Sequence, residues 1–172
     1  MTHILTDASV VIIADNHRAE FTKKNFNKEI LADPILNYLS LADLVTIWKD
    51  VYGIPANLKD FLYKKNDLHS SSANINSFIY NGKEYWLDKN NRSSLWNLSN
   101  STVGDVDFVV GEEIVTINAL KLKAFIIKLE VYAYKCFVTT FRHKKTIQTL
   151  ATLEDIINYD YTSGYPEKIT LE

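Results

Sequence analysis

The chain has 172 residues, 47% of them hydrophobic, which is enough for one mid-sized domain or two small ones with a normal core. With 19 basic and 21 acidic residues the formal net charge is -2, and this balance lacks the basic excess of a dedicated nucleic-acid binder. A single cysteine, Cys136, rules out a disulfide scaffold within one chain and any cysteine-rich zinc site.

The first seven residues lack a basic stretch followed by an apolar one, so they do not read as a signal peptide. The most apolar stretch, Ala124–Val138, is interrupted by Lys128, Glu130 and Lys135 and does not read as a membrane span. A protein made in a reducing cytoplasm is expected.

In chain order, "ASVVIIAD" (Ala8–Asp15) is a short β-branched run between polar residues, and it predicts a buried strand. The following "HRAEFTKKNFNKEIL" fits no single period. Asp33 can cap a helix with Pro34 at its first position. A second start at Ser40, with Asp43 three residues on, resembles a capping box. Leu41, Leu44, Val45, Ile47, Trp48 and Val51 then recur at helical spacing, with Gly53 and Pro55 as the stop. "PANLKDFLYKK" predicts one more short helix with Leu58, Phe61 and Leu62 on one side. The serine- and asparagine-rich "DLHSSSANINS" is the expected linker, with a boundary near residue 73.

Beyond it the pattern turns to β. Asn81-Gly82 lies between two aromatic-rich runs and predicts a type I′ hairpin, because both residues tolerate positive φ. Phe78, Tyr80, Tyr85 and Trp86 supply its cross-strand side chains. "NNRSSLWNLSN" predicts a short helix, and "DVDFVVGEEIVTIN" a second strand pair turning at Gly111. Asn118 can cap a long helix over 119–150, a stretch free of Gly and Pro. Thr152, with Asp155 at the third position, can cap a last short helix.

The expected fold class is α+β. A helical N-terminal region (1–72) with one or two short strands, a possible anchoring or partner-binding part, precedes a C-terminal domain (73–172). In that domain β-hairpins pack on the long helix and on a short terminal helix. The long helix has two apolar seams. One is Leu122, Ile126, Leu129, Ala133 and Cys136. The other is Leu120, Ala124, Ile127, Val131, Tyr134, Val138 and Phe141. Lys121, Lys128, Lys135 and Arg142 form a narrow polar stripe. Two apolar faces imply burial on two sides. The helix is then either central within its own chain or packed along one seam against another copy.

Catalytic chemistry finds no foothold. His3, His17, His69 and His143 include no i, i+4 pair that would place two ligands on one helical face. Asp15, His17 and Glu20 read as loop polarity. Cys136, on an apolar seam, reads as a buried inert thiol. Phosphate-loop and nucleophile-elbow patterns are missing. The pairs Glu112-Glu113 and Glu154-Asp155 suit a hairpin edge and a helix N-terminus. No catalytic, cofactor or metal residue is expected. Tyr85, Trp86 and Trp96 can fill a core or form a stacking platform for sugars or bases.

One resemblance runs from about Ser77 to Pro166. It is carried in order by "FIYNGKEYWLD", Arg92, "VTIN", "LEVYAYKCF" and "KKTIQTLATLEDIINYDYTSGYP". These resemble an uncharacterised C-terminal domain that recurs in tailed-bacteriophage proteins, often encoded near tail-fibre genes. In that family a Lys-x-Ile-like step leads to a Thr-Leu-Glu segment and ends in Asp-x-x-Ser/Gly-Gly-Trp-Pro or a near variant. Lys145, Ile147, Thr152, Leu153, Asp160, Gly164 and Pro166 hold those places, with Tyr165 where Trp is commoner.

The resemblance implies a virion or virion-assembly module without catalytic residues. Its partners would be other virion proteins and further copies of itself, with no nucleic acid and no membrane. Its location would be the virion, after synthesis in the host cytoplasm. A tail-fibre assembly chaperone and a carbohydrate-binding module are the alternatives. Gly164, Tyr165 and Pro166 are expected to form a terminal latch, with Tyr165 largely buried against Ile156 or Tyr159.

Overall fold

The apolar run near the N-terminus forms a strand, β2 (Ser9–Ala14), in the computed structural model, which describes residues 1–52 and 58–171. Val10, Ile12 and Ala14 lie in a core, while on the other face Val11 is also buried and only Ile13 stays partly exposed. β2 is the centre of an antiparallel meander with β1 (Thr2–Leu5) and β3 (His17–Thr22). The turn into β3 uses Asp15 and Asn16 at φ of 45° and 67°. Short polar side chains tolerate this left-handed conformation, so the turn needs no glycine.

A one-turn helix, α1 (Phe26–Glu29), follows, and then two 3-10 turns, Ile30–Ala32 and Pro34–Tyr38. Asp33 caps the second as expected, accepting from the Ile35 amide at 2.8 Å, but the element is 3-10 rather than α. The chain re-caps itself seven residues later. Ser40 and Asp43 exchange side-chain and backbone bonds at 2.9 and 3.1 Å and start α2 (Leu41–Tyr52). The stop expected at Gly53 and Pro55 lies outside the described residues.

α3 (Lys59–Ser71) buries Leu58, Phe61 and Leu62 on one side. It runs on into the serine-rich stretch that composition marked as a linker. The polar residues there take up the helix's last carbonyls. Ser72 Oγ donates to His69 O at 2.7 Å, Asn76 Nδ2 to Ser70 O at 2.8 Å, and Ser77 Oγ to Ala73 O at 2.7 Å. Hydroxyls and amides that can leave a helix can equally terminate one in an ordered way.

The second half has the expected order. β4 (Phe78–Tyr80) and β5 (Lys83–Tyr85) pair across Asn81-Gly82, at φ of 49° and 73°. Asp88 caps α4 (Lys89–Ser101) through the Asn91 amide at 2.8 Å. β6 (Asp105–Val110) and β7 (Glu113–Asn118) pair across a turn with Gly111 at φ 61°. α5 (Ala119–Thr149) then starts with Asn118 Oδ1 accepting from the Leu120 amide at 3.0 Å. Thr152 and Asp155 complete the predicted box on α6 (Leu153–Asn158). The last strand, β8 (Thr170–Leu171), adds to β4 in parallel; the polar tail gave no sign of it.

The fold is thus α+β, in two compact units, each discontinuous in sequence. The first joins Met1–Leu68 with Arg142–Tyr161, and the second joins His69–Phe141 with Thr162–Glu172. This differs from a single boundary near residue 73. The reason is visible in the first unit, whose core around Phe26, Leu44, Phe61 and Leu62 also takes in Ile147 and Ile156. There, Tyr63 donates to the Lys144 carbonyl at 3.1 Å and Lys144 pairs with Asp67 at 2.6 Å. The second core is built from Phe78, Phe108, Val110 and Val115 together with Leu122, Phe125, Ile126 and Leu129 of α5.

Candidate functional site

The two seams of α5 have different fates. Leu122, Ile126, Leu129 and Cys136 are buried in the second unit's own core, with Ala133 half-buried beside them. This seam packs intramolecularly and is not open to another chain. The second seam is largely uncovered. Leu120 is 76% exposed, Ile127 48%, Val131 50%, Tyr134 67% and Phe141 51%. Phe137, which neither seam included, adds another ring at 65% exposure. At 1.5 Å per residue this apolar stripe is about 30 Å long, and a helix about 10 Å wide gives it a footprint of roughly 300 Å². A patch of that size matches the largest one on an ordinary monomer, and such patches often serve a function.

Two grooves flank the stripe, with Ile127 and Val131 forming the ridge between them. The larger, about 590 Å³, lies between α4 and α5 and is lined by Trp96, Ile126, Ile127 and Val131 along with Lys89, Arg92 and Glu130. The smaller, about 310 Å³, is closed on its far side by Pro166, Glu167 and Ile169 and is bordered by Lys128 and Lys135. Among the described residues Lys121, Lys128 and Lys135 make no ion pair, so this flank of the stripe presents unneutralised positive charge.

Arg92 holds α4 against α5. It is buried, donates through Nε to Glu130 Oε1 at 2.7 Å and through Nη1 to the Leu87 carbonyl at 2.6 Å, and lies 5.1 Å from the centroid of Trp86. A planar guanidinium can meet all three partners at once, which an ammonium cannot. The sequence marked Arg92 only as part of a family pattern. A charged residue four positions after a helix cap gave no other signal that it would be buried.

The aromatic trio is dispersed by these contacts. Tyr85 is half-buried, donates to Glu113 at 3.1 Å, and passes so close to Gly111 that a Cβ there would sit 2.8 Å from its Cε1. Trp86 is covered by Arg92, and Trp96 carries the Lys123 ammonium 5.2 Å from its centroid. Glu113 also pairs with Lys83 at 2.8 Å, and these contacts hold its carboxyl below the usual range while raising Lys83.

The remaining sequence candidates have structural partners. His3 bonds Asp50 at 2.8 Å, His17 stacks on Tyr38 at 4.0 Å, and buried His143 bonds the Tyr159 hydroxyl at 2.8 Å. Glu20 accepts from Ser9 and Arg18, both at 3.1 Å. Burial raises the Cys136 thiol pKa, which disfavours the thiolate. Among the described residues no group of three or more His, Cys, Asp or Glu can hold a metal ion, and no helix is long and apolar enough to cross a membrane.

The closing stretch does turn at Gly164, φ 74°, where Thr139 Oγ1 donates to the Gly164 carbonyl at 3.3 Å. Tyr165 is half-buried, not largely buried. Its hydroxyl bonds Thr140 Oγ1 at 2.9 Å and its ring meets His69 edge-on at 5.2 Å. It belongs to the second unit's apolar cluster, whereas Ile156 and Tyr159 belong to the first. Pro166, next in the chain, lines the smaller groove beside α5. No family model, no curated protein and no solved structure matches the chain.

Proposed function

We propose that this chain is a non-enzymatic bacteriophage structural protein, a component of a tail, fibre attachment or other virion appendage, acting through protein–protein contacts. The observation that carries the docking role is the uncovered face of α5, where Ile127, Val131, Tyr134 and Phe141 stand exposed beside two grooves. An apolar helix face left in water is an unmet opportunity for burial, and protein partners are the usual means of covering it. The virion setting is supported by the quoted motifs between Ser77 and Pro166 and by nothing else.

Mass spectrometry of purified particles tests the setting, with the chain expected among the particle proteins. Recovery in assembly extracts but not in finished particles selects the tail-fibre chaperone, which would cover the same face transiently. Loss of the chain from both overturns the proposal. A second test is Val131→Asp, which alters an exposed position and leaves the core intact; it should fold normally and fail to join particles. The carbohydrate-binding alternative has less support, because cations already lie against Trp86 and Trp96.

A further inference from the structure

The β6–β7 hairpin exposes a second apolar feature with the opposite charge. Its inward residues Val106, Phe108, Val110 and Val115 are buried in the second unit's core. Its outward positions pair Asp105 with Asn118, Asp107 with Thr116, and Val109 with Ile114. Val109 is 63% exposed and Ile114 73%, so the tip of the hairpin carries an uncovered branched pair. Asp105, Asp107 and Glu112 are exposed around it, and the strands themselves carry no lysine or arginine, with Lys121 of α5 beside Thr116 and Asn118 at the far end of the hairpin. Among the described residues none of these three carboxylates makes an ion pair.

The exposed face of α5 has the complementary pattern: an apolar ridge and an adjoining groove of about 310 Å³ bordered by Lys128 and Lys135, with Glu167 also in its lining. Self-pairing of α5 is the less favourable use of that face. An antiparallel pair related by a two-fold axis would set the Lys121, Lys128 and Lys135 row against its own copy, and like charges at close range oppose association. The hairpin supplies what that row lacks.

Both surfaces belong to the same unit. The hairpin and α5 bury their inner faces in one shared core and leave Val109 and Ile114 on the one, and Ile127 and Val131 on the other, exposed.

We propose that the acidic β6–β7 hairpin of one copy docks on the basic, apolar face of α5 of the next, with Val109 and Ile114 seated beside Ile127 and Val131. The contact is head-to-tail and uses two different surfaces. Each copy offers one hairpin and one α5 face, so the contact can repeat from copy to copy into rings or filaments. It rests on the reading of α5 as a docking face and specifies a second copy as its occupant.

Charge reversal tests the proposal in the full chain by sedimentation and light scattering across a concentration series. The wild type should grow beyond dimer with concentration and shrink with added salt. Lys128→Glu/Lys135→Glu and Asp107→Lys/Glu112→Lys should each be monomeric where the wild type assembles, with at least a tenfold weaker association. These positions are exposed, and circular dichroism confirms the fold of each variant. An equimolar mixture of the two variants should assemble again, and so should the fourfold variant.

A wild type that is monomeric throughout overturns the proposal, as does a closed dimer indifferent to the hairpin substitutions. Reversals that fail to rescue one another overturn it too. If the α5 reversal alone abolishes entry into particles while the wild type is monomeric, the docking face stands and its occupant is another protein. If neither assembly nor particle entry changes, both readings fall.

Discussion

Replacing Arg92 with alanine removes a buried side chain that meets three partners in the second unit. Two charge-assisted hydrogen bonds, at 2.7 Å to Glu130 and 2.6 Å to the Leu87 carbonyl, are lost together with the contact to Trp86 at 5.1 Å. Such bonds contribute about 1.5–3 kcal/mol each and a partly desolvated cation–π contact about 1 kcal/mol, so a simple sum reaches about 4–7 kcal/mol. The sum overstates the loss. Glu130 has half its side-chain surface in water and is rehydrated when the guanidinium leaves, so its contact is worth no more than that of a surface pair. A destabilisation of about 3 kcal/mol follows, most of it from the abandoned carbonyl and the cavity over Trp86.

Arg92→Lys keeps the charge but cannot form the fork or lie flat on the indole, and it should lose about 2 kcal/mol. Denaturant titration followed by tryptophan fluorescence measures both variants. A double-mutant cycle with Glu130→Gln isolates the ion pair at about 1 kcal/mol. An Arg92→Ala loss under about 0.5 kcal/mol would refute the reasoning, because a buried and threefold-bonded guanidinium cannot be removed that cheaply.

Gly111→Ala should destabilise the second unit by about 2–3 kcal/mol, from left-handed strain and displacement of the Tyr85 ring, and by about 1 kcal/mol less in a Tyr85→Leu background; equal losses in both backgrounds would remove the steric part. Tyr165→Ala should cost about 2 kcal/mol, the low end for a large aromatic, because the ring is only half-buried; thermal unfolding that matches the wild type would remove the latch. Lys65 is buried in the first unit, donates to the Leu36 carbonyl, and has its pKa lowered to about 8 by loss of hydration. Below pH 8 both folded and unfolded chains carry this proton, and from there towards pH 10.5 only the unfolded chain holds it. Wild-type stability relative to Lys65→Met should therefore rise with pH across that window, by on the order of 1–2 kcal/mol after allowance for residual hydration. A flat or falling difference would contradict the burial of the ammonium.

Short-range chemistry was legible in the sequence. Asn81-Gly82, the Ser40/Asp43 and Thr152/Asp155 boxes and the Asn118 cap each depend on residues within three positions, and each forms. The meander around β2 was only half legible. Its Asp15-Asn16 turn lacks glycine, and β3 buries only Phe21 fully, so neither alternation nor turn chemistry announced it. The serine run does hold the first division between the units, at Leu68–His69, but composition gave no sign that it stays helical to Ser71 or that the chain crosses again after Phe141 and Tyr161. The two seams of α5 were legible as apolar, but periodicity does not say which face the chain itself will cover. That is decided by the β6–β7 hairpin and α4, through contacts distant in sequence. The same limit hid the partners of Tyr165 and the discontinuous makeup of both units.

The central claim is that the exposed face of α5 is covered by protein when the chain is at work. A photo-crosslinking amino acid placed at Val131 or Tyr134, with Lys83 as an exposed control in the same unit, tests it in cells that make the chain. The account predicts discrete protein adducts from positions 131 and 134 and little from position 83. Adducts from the control alone, or none at either helix position, would contradict it.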